Sequence, residues 1–283
     1  MHVGGCASNA AIDLAKLGVP VKLCCRLGKD QFGDFVLQTA REAGVDTSGV
    51  VQRDDPGTTI SVVCIQSSGE RSFLYHPGSA AAFCADDIPA DLEVDCGIVF
   101  VAGAMLLTGF DGAPCAQFLK NMRSKGKYTV LDTAWDFEDV WLPKLQEALP
   151  HLDLFMPSYE EAAKLSGKED VKDIAAFFRQ QGAANVVIKM GKDGAYIKEG
   201  QKEGIVLPTY PNVQVKDTTG AGDAFCAGFL AGLAQEWNFF DCGAFANGVG
   251  THCVMELGAS AGIKSIGEVQ EFMRNNWIKE MEK

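Results

Sequence analysis

Short apolar runs alternate with helix-like periodic segments over most of the chain. Apolar positions recur at helical spacing in 6–17, 32–43 and 113–124. Alternating strands and helices are typical of a mostly parallel sheet with helices on both faces. The pattern therefore predicts an α/β protein with a Rossmann-like three-layer sandwich. The runs typical of strands are 21–27, 97–102, 128–131, 153–156, 185–190 and 195–198.

A β-rich interruption lies near residue 60. The segments 58–66 and 71–76 flank Ser67-Ser68-Gly69-Glu70, a sequence typical of a hairpin turn. Polar and apolar residues alternate only partly here, as in a strand covered on both faces, although an ordinary core hairpin would look similar. We expect a small β lid over about 55–78 within a single domain that spans 1–283.

The last third of the chain predicts three helices, over 224–234, 239–254 and from Gly267 onward. A β-rich segment, 213–215, precedes the first of them. Between this segment and the helix lies a polar, glycine-rich turn. This is the arrangement in which α/β proteins commonly bind ligands.

The turn reads Asp217-Thr218-Thr219-Gly220-Ala221-Gly222-Asp223. Gly220 and Gly222 leave backbone N–H groups uncovered at a helix start, where the helix dipole favours an anion. Asp223 places a carboxylate in the same turn, where it could act as a base toward a hydroxyl group. The combination suits phosphoryl transfer, but a glycine-rich helix start with an acidic first turn would look the same.

Composition narrows the class of protein. The chain has 283 residues, of which 47% are hydrophobic, and a net charge of −12. Such a charge disfavours nucleic acid and anionic membranes as partners. The ten cysteines form no C-x-x-C pair, and we find neither a signal peptide nor an 18-residue apolar run. We therefore expect a cytoplasmic protein with reduced thiols.

Two motifs resemble the ribokinase-like (PfkB) family of sugar and nucleoside kinases. The turn at 217–223 is similar to the second motif of the family. The sequence Gly4-Gly5-Cys6-Ala7-Ser8-Asn9-Ala10-Ala11 is similar to the first motif. The resemblance extends from Gly4 to about Ile263 and implies a ribokinase-like fold that uses ATP and Mg²⁺ to phosphorylate a sugar hydroxyl.

The resemblance also implies roles for residues in both motifs. Asp223 would be the catalytic base, and the N–H groups of Gly220, Ala221 and Gly222 would hold the transferring phosphoryl group. Gly5 and Asn9 would line the sugar pocket. A monovalent cation such as K⁺ would be held by Asp217 and Thr219.

Further residues follow from position or resemblance. Asp132 ends a predicted strand, so it either faces the sugar or binds loop amides. Glu161 occupies the family position that holds Mg²⁺ through water, but Ser158 replaces the usual Asn, and Ser158 with Glu161 also fits a helix capping box. The resemblance assigns five residues to the nucleotide site: Lys189, Gly191, Gly194, Asn247 and Gly258.

Some features depart from the family pattern. Family members carry a first strand, and a loop with a substrate-binding Asp, before the position of Gly4, and this first strand is expected to be absent here. Ala80 stands where Asn is common. These departures leave open a binding protein without catalysis. A nucleoside kinase is also possible, with Trp135, Phe32 or Phe73 stacking on a base. In family members the lid often forms a dimer interface, so we expect a homodimer through 55–78.

Overall fold

Helices and strands alternate along the chain as the pattern predicts. The computed structural model describes residues 1–65, 71–92, 94, 96–210 and 213–276. Its helices in this part of the chain are α1 (Cys6–Lys16), α2 (Gln31–Glu42), α3 (Gly78–Ala81), α4 (Ala113–Ser124), α5 (Tyr159–Ser166), α6 (Val171–Gln180), α7 (Ala221–Ala234), α8 (Phe239–Val254) and α9 (Ile266–Asn276). Its strands are β1 (Lys22–Gly28), β2 (Asp46–Arg53), β3 (Ile60–Ile65), β4 (Arg71–His76), β5 (Ile98–Ala104), β6 (Tyr128–Thr133), β7 (Leu154–Phe155), β8 (Asn185–Lys189), β9 (Ala195–Glu199) and β10 (Ile205–Leu207).

The central sheet has six strands in the spatial order β10-β9-β8-β7-β6-β5. Neighbours from β5 to β8 pair in parallel, and β9 and β10 add an antiparallel edge. One apolar core joins this sheet to α4, α5 and α6, and a second joins it to α1, α7 and α8. Helices therefore cover both faces, which confirms the predicted α/β three-layer fold.

Strands β1 and β2 form a separate parallel pair. Helix α1 packs against this pair through Ala11 and Ile12, and against the large sheet through Leu14 and Leu17. The helix thus connects the two sheets across one face of the molecule. Its N-terminus begins after Gly5, whose φ of +92° favours glycine.

The predicted hairpin is present as the antiparallel pair β3–β4, in which Val62 lies opposite Leu74. The predicted turn at 67–70 lies outside the described residues. Tyr75 on β4 stacks on Phe137 in the loop after β6, with ring centroids 5.4 Å apart. Both rings line a cavity of about 1750 Å³, so the hairpin lies over that cavity.

The prediction of a β-rich segment at 213–215 is wrong. These residues form no strand, and the backbone N–H of Lys216 instead donates to the carbonyl of Val254 at the end of α8, at 2.8 Å. The strand of this region is β10, earlier in the chain, which the sequence pattern did not indicate. Strand β2 was also missed. Among the described helices, none is both long and apolar enough to cross a membrane.

Candidate active site

The turn before α7 has the open backbone that its glycines predict. Gly220 caps the helix with φ +77°, and a Cβ there would lie 2.5 Å from the Cβ of Ala259. A Cβ on Gly222 would meet the end of the Lys189 side chain, with Nζ at 3.5 Å and Cε at 3.9 Å. The helix start therefore packs closely against the loop at 258–260 while the N–H groups of its first turn stay uncovered by side chains. Such a helix start is suited to binding an anion.

The two glycine-rich motifs meet at Asp223 and Asn9. Asn9 on α1 donates from Nδ2 to Asp223 Oδ2 at 2.7 Å, across 214 positions in sequence. Asn9 is buried, and its Oδ1 accepts no hydrogen bond from the described residues. Both side chains line a cavity of about 1750 Å³ that Gly5 and Gly220 also line. The structure thus brings the predicted base, Asp223, to one wall with Gly5 and Asn9, two of the three residues predicted to bind the sugar.

The groups around Asp223 shift its pKa in opposite directions. Burial raises the pKa of this carboxyl above its usual range, and the Asn9 hydrogen bond and the Lys189 charge oppose that shift. The thiol of Cys6 lies beside it, and burial together with the neighbouring Asp223 and Asp132 carboxylates raises the pKa of Cys6. A carboxylate with a raised pKa accepts a proton more readily, while the thiol stays neutral.

Asp132 lies in a buried ion pair rather than on the cavity wall. Its Oδ1 accepts from Lys189 Nζ at 2.6 Å and from the Thr133 N–H at 2.8 Å. Its Oδ2 accepts from the Cys226 thiol at 3.4 Å. Burial and these three partners occupy the carboxylate, which fits the alternative that Asp132 binds backbone amides, and its contact with the sugar stays a prediction.

Lys189 belongs to the same buried group. Burial alone would lower its pKa, but Asp132 and the nearby Cys226 and Glu161 outweigh this effect and raise it. The ammonium group therefore stays charged beneath the first turn of α7. The Lys189 amine donates to Asp132 and to the Cys226 sulfur, the latter at 3.6 Å, and it lies under the anion-binding turn. Its contact with the nucleotide stays a prediction.

Glu161 forms the capping box that the sequence allows. Ser158 Oγ accepts from the Glu161 N–H at 3.3 Å, and Glu161 Oε2 accepts from the Ser158 N–H at 3.2 Å. The same Oε2 accepts from Thr133 Oγ1 at 2.8 Å. Glu161 also contributes to the pKa shifts of Asp223 and Asp132, so it lies in the same group of charges.

The carboxylates around Glu161 suit Mg²⁺ better than they suit a transition metal. No cluster of three or more His, Cys, Asp or Glu side chains with metal-binding geometry occurs among the described residues. Mg²⁺ usually keeps several waters and takes only one or two carboxylates together with substrate phosphates. Glu161 can meet that need without an all-protein cage.

The residues expected at the nucleotide divide into two groups. Gly191 has φ +56° and open space around it, so backbone is exposed there. At Gly194, a Cβ would overlap the Leu207 carbonyl oxygen, so this glycine is needed for the turn between β8 and β9 to pack against β10. Asn247 is buried, and it donates from Nδ2 to the carbonyls of Leu207 and Pro208 at 3.1 and 3.2 Å. These bonds hold Asn247 against the end of β10, and its place near the nucleotide stays a prediction.

The loop expected to hold a monovalent cation is tied together by Asp217. Its Oδ1 accepts from the Thr219 N–H, and its Oδ2 accepts from the Gly258 N–H, both at 3.0 Å. The Thr219 carbonyl accepts from the Cys253 thiol at 3.5 Å. Asp217 thus joins the two loops that flank the start of α7, and its carboxylate and the Thr219 carbonyl supply oxygen donors of the kind that a hard cation requires.

Comparison with known proteins identifies the family. The family model described as pfkB family carbohydrate kinase matches residues 1–266. The chain belongs to this family. It is therefore a carbohydrate kinase, a phosphotransferase that uses ATP and an alcohol group as acceptor.

Individual relatives of this pfkB kinase agree with that assignment. A 2-dehydro-3-deoxygluconokinase from Bacillus subtilis is 28% identical over 96% of this chain and 86% of its own length. The structure of Arabidopsis thaliana ribokinase complexed with ribose and ATP is 26% identical, with a TM-score of 0.84 over 96% of this chain and 87% of that one. An Escherichia coli structure in complex with ATP and Mg²⁺ is 22% identical with a TM-score of 0.86, and shares the fold.

Several features of the kinase site were not found by sequence reasoning. Cys226 lies in an apolar helix and carries no signal of its contact with Asp132. The Tyr75–Phe137 stack joins residues from two separate segments. Of the aromatic residues suggested for base stacking, Phe32 lines the cavity and Trp135 packs edge-on against Trp141, with centroids 4.8 Å apart. The side chain of Phe73 lies outside the described residues.

Proposed function

We propose that this kinase uses Asp223 as the general base toward a primary hydroxyl of a sugar or sugar acid. The single observation that carries the proposal is the Asn9–Asp223 hydrogen bond at the mouth of the α7 helix start. It places a carboxylate with a raised pKa on the cavity wall, beside N–H groups that favour an anion. The carboxylate that activates the acceptor hydroxyl and the N–H groups that bind the phosphoryl group then lie within one turn of backbone.

Each residue of the turn has a part in the transfer. The Asp223 carboxylate takes the proton of the hydroxyl as that oxygen attacks the terminal phosphorus of ATP, whose bond to the bridging oxygen breaks so that ADP leaves. The N–H groups of Gly220, Ala221 and Gly222 donate to the oxygens of the transferring group, where negative charge is held. Asn9 fixes the orientation of Asp223, and its Oδ1 is an acceptor that suits a sugar hydroxyl.

Metal and nucleotide binding complete the proposal. When bound, Mg²⁺ would neutralise the phosphate oxygens, with Glu161 holding it through water. Asp217 and Thr219 would hold a monovalent cation such as K⁺ next to the anion-binding turn. Gly191 and Gly258 would allow close approach of backbone to the nucleotide. Lys189 supports this site from below, where its charge lies near the first turn of α7.

We further propose that this kinase is a homodimer and that it is located in the cytoplasm. The apolar pair Val62 and Leu74 on the lid is exposed to 50% and 67% in one chain, so a second lid covering it would bury apolar surface and form a homodimer. All ten cysteines lie in described residues and are free thiols, which suits a reducing cytoplasm.

Replacing the base tests the function. Asp223→Asn should lower kcat by about 10²- to 10⁴-fold, the usual contribution of a general base. The affinity for ATP, measured by calorimetry, should stay within a factor of about three of the parent value, since the backbone N–H groups of the anion-binding turn remain. Asp173→Asn is the matched control, because Asp173 also lies in the first turn of a helix, α6, but is exposed. A normal kcat in Asp223→Asn would exclude the proposed base.

The substrate is found by measuring ADP release from Mg-ATP with a panel of acceptors. The panel contains ribose, fructose, 2-dehydro-3-deoxygluconate, tagatose 6-phosphate and adenosine. Turnover with a sugar or sugar acid supports the proposal, and turnover with adenosine alone would replace it by a nucleoside kinase. Binding of ATP and a sugar by calorimetry without ADP release would instead indicate a protein that binds without catalysis.

A further inference from the structure

A buried carboxyl lies behind the anion-binding turn of this kinase, residues 220–223. Asp13 is fully buried on α1, one helical turn after Asn9. Of these two residues, Asn9 lines the cavity and holds Asp223, whereas Asp13 does not line it. A carboxyl that is taken out of water costs free energy unless its oxygens find partners. A contact on this side of α1 must therefore offset the cost of burying Asp13.

The loop at 258–260 forms the back of the anion-binding turn. Ala259 packs so closely on Gly220 that a Cβ on the glycine would lie 2.5 Å from the Cβ of Ala259. The carbonyl of Ala259 in turn accepts from the Cys253 thiol of α8 at 3.1 Å. A movement of this loop would therefore displace Gly220, whose N–H group is proposed to bind the transferring phosphoryl group.

Helix α1 contacts the end of this loop at Ser260. Lys16, three residues after Asp13, donates from Nζ to the Ser260 carbonyl at 2.7 Å. The Ser260 hydroxyl lies near Asp13, since it opposes the rise in the pKa of that carboxyl. Ser260 Oγ and both Asp13 oxygens are buried, and none of them has a hydrogen bond of normal geometry to the described residues. Three buried oxygens thus lie together where α1 meets the loop.

The protonation state of Asp13 decides how these oxygens can be satisfied. Burial raises the pKa of Asp13 to about 7, so below neutral pH the group is mostly a neutral acid. A neutral carboxyl has one donor and one acceptor, and a hydroxyl has one donor and two acceptor sites. Asp13 can therefore donate to Ser260 Oγ and accept from it, and the pair needs no buried charge.

We propose that Asp13 is a positioning residue that holds the loop at 258–260 through Ser260. It thereby sets the N–H groups of the anion-binding turn relative to the base, Asp223. Helix α1 then controls both parts of the site, because Asn9 orients the base and Asp13 fixes the loop behind the N–H groups. Phosphoryl transfer needs both parts in register, and a displacement of about 1 Å can lower the rate by about 10²-fold. The inference rests on the proposed role of the turn in phosphoryl transfer.

Substitutions that remove one partner each test the proposal, in assays of ADP release at about pH 6 with the accepted sugar. Asp13→Ala and Ser260→Ala should each lower kcat by about tenfold, while KM for the acceptor stays within about threefold of the parent value. The double variant should lose no more than the larger single effect, since both substitutions break the same contact. Asp13→Asn is neutral and keeps a donor and an acceptor, so its kcat should stay within about threefold of the parent value.

Thermal unfolding separates positioning from a general effect on the fold. Asp13→Ala removes a buried carboxyl, so its unfolding midpoint should stay within about 4 °C of the parent value although kcat falls. Asp34→Ala removes an exposed carboxylate from the first turn of α2 and is the matched control. Its kcat should equal that of the parent. If Asp13→Ala fails to fold, Ser260→Ala and Asp13→Asn still decide the question, because the first breaks the contact and the second keeps it.

Hydrogen exchange of the full chain gives a readout that needs no turnover. The Ile263 N–H donates to the Ser260 carbonyl at 3.3 Å, so amides at 258–263 report on the order of the loop. Their exchange should be about tenfold faster in Asp13→Ala and Ser260→Ala, and unchanged in Asp13→Asn. Because this result does not depend on Asp223, it stays separate from the test of the catalytic base.

Four outcomes would overturn the proposal. The first is a normal kcat in both alanine variants, and the second is an equal loss of kcat in Asp13→Asn and Asp13→Ala. The third is a double variant in which the two single losses multiply, since the residues would then act independently. The fourth is unchanged amide exchange at 258–263 in both alanine variants.

Discussion

Lys189 Nζ lies 2.6 Å from Asp132 Oδ1, beneath the helix start that carries Asp223. Both partners are buried, with side-chain exposures of 11% and 2%. Their sequence positions are 57 residues apart, at the ends of strands β8 and β6. The ion pair therefore connects the carboxyl ends of two strands of the central sheet directly below the anion-binding turn.

Removing Lys189 should destabilise the protein strongly. Lys189→Met leaves the Asp132 carboxylate buried without its cation, which costs about 3–5 kcal/mol of unfolding free energy. Adding Asp132→Asn should recover part of this loss, so that the double variant is more stable than the sum of the single effects predicts. Urea unfolding at neutral pH measures all three variants.

The exposed pair of Lys202 and Glu199, at 2.8 Å, is the control for this cycle. Lys202→Met should cost at most about 1 kcal/mol, since exposed ion pairs contribute little. If Lys189→Met lowers the free energy of unfolding by no more than Lys202→Met does, the buried ion pair is not important for stability.

The pH dependence of the reaction should report on Asp223. Its pKa is raised by burial, and the Asn9 hydrogen bond opposes the rise by favouring the ionised form. The base must be ionised, so kcat/KM should fall as pH drops through this pKa, which lies above the usual carboxyl value of about 4. Asn9→Ala removes the opposing bond, and the acidic limb should move to higher pH.

The profile is measured as kcat/KM from pH 5 to 9 with saturating Mg-ATP. Asn121→Ala, on the exposed surface of α4, should leave the limb in place. In Asn9→Ala, the acidic limb of the kcat/KM profile could instead stay in place or move to lower pH. Either result would show that the hydrogen bond does not favour the ionised form of Asp223.

A buried aspartate on α1 should make the stability of the fold decrease as pH rises from about 4 to about 7. Asp13 is fully buried, and neither of its oxygens has a hydrogen bond of normal geometry among the described residues. Burial raises the pKa of Asp13 to about 7, against smaller opposing effects of Ser260 and Lys16. In the unfolded chain the value is about 3.9. A raised folded pKa contributes stability that is complete below pH 4 and is lost as pH rises through 7.

Asp13→Asn stays neutral at all these pH values. Its stability relative to the parent should therefore increase by about 2–3 kcal/mol between pH 5 and pH 8.5, as measured by urea unfolding. Asp34→Asn, at an exposed position of α2, should show no such trend. A constant difference for Asp13→Asn across this pH range would mean that Asp13 is ionised in the folded protein throughout.

The two glycines of the anion-binding turn should respond differently to substitution. Gly220→Ala must adopt φ +77° and would place a Cβ 2.5 Å from that of Ala259, so we expect a loss of about 2 kcal/mol or more together with lower kcat. Gly222→Ala has helical backbone and room beside Lys189, so stability should be unchanged or up to about 1 kcal/mol higher. Thermal unfolding compares them, and equal losses in both would contradict the role of the positive φ.

Local sequence determined much of this protein. The spacing of apolar residues predicted the α/β class and placed α4 and α8 at their observed bounds. The capping box of Ser158 and Glu161 follows from four adjacent residues. The two glycine-rich motifs indicated the kinase family, and each encodes its own turn, because positive φ and uncovered N–H groups depend on the glycines themselves.

Only the tertiary structure decided which side chains meet. Asp132 ends a strand, as expected, but its direction depends on Lys189 and Cys226, which come from two other elements. Only the structure shows that the amide of Asn247 donates to a carbonyl at the end of β10, a strand that is too short to show a pattern. Partners far apart in sequence leave no periodic signal, so burial and hydrogen bonding in the folded chain determine these roles.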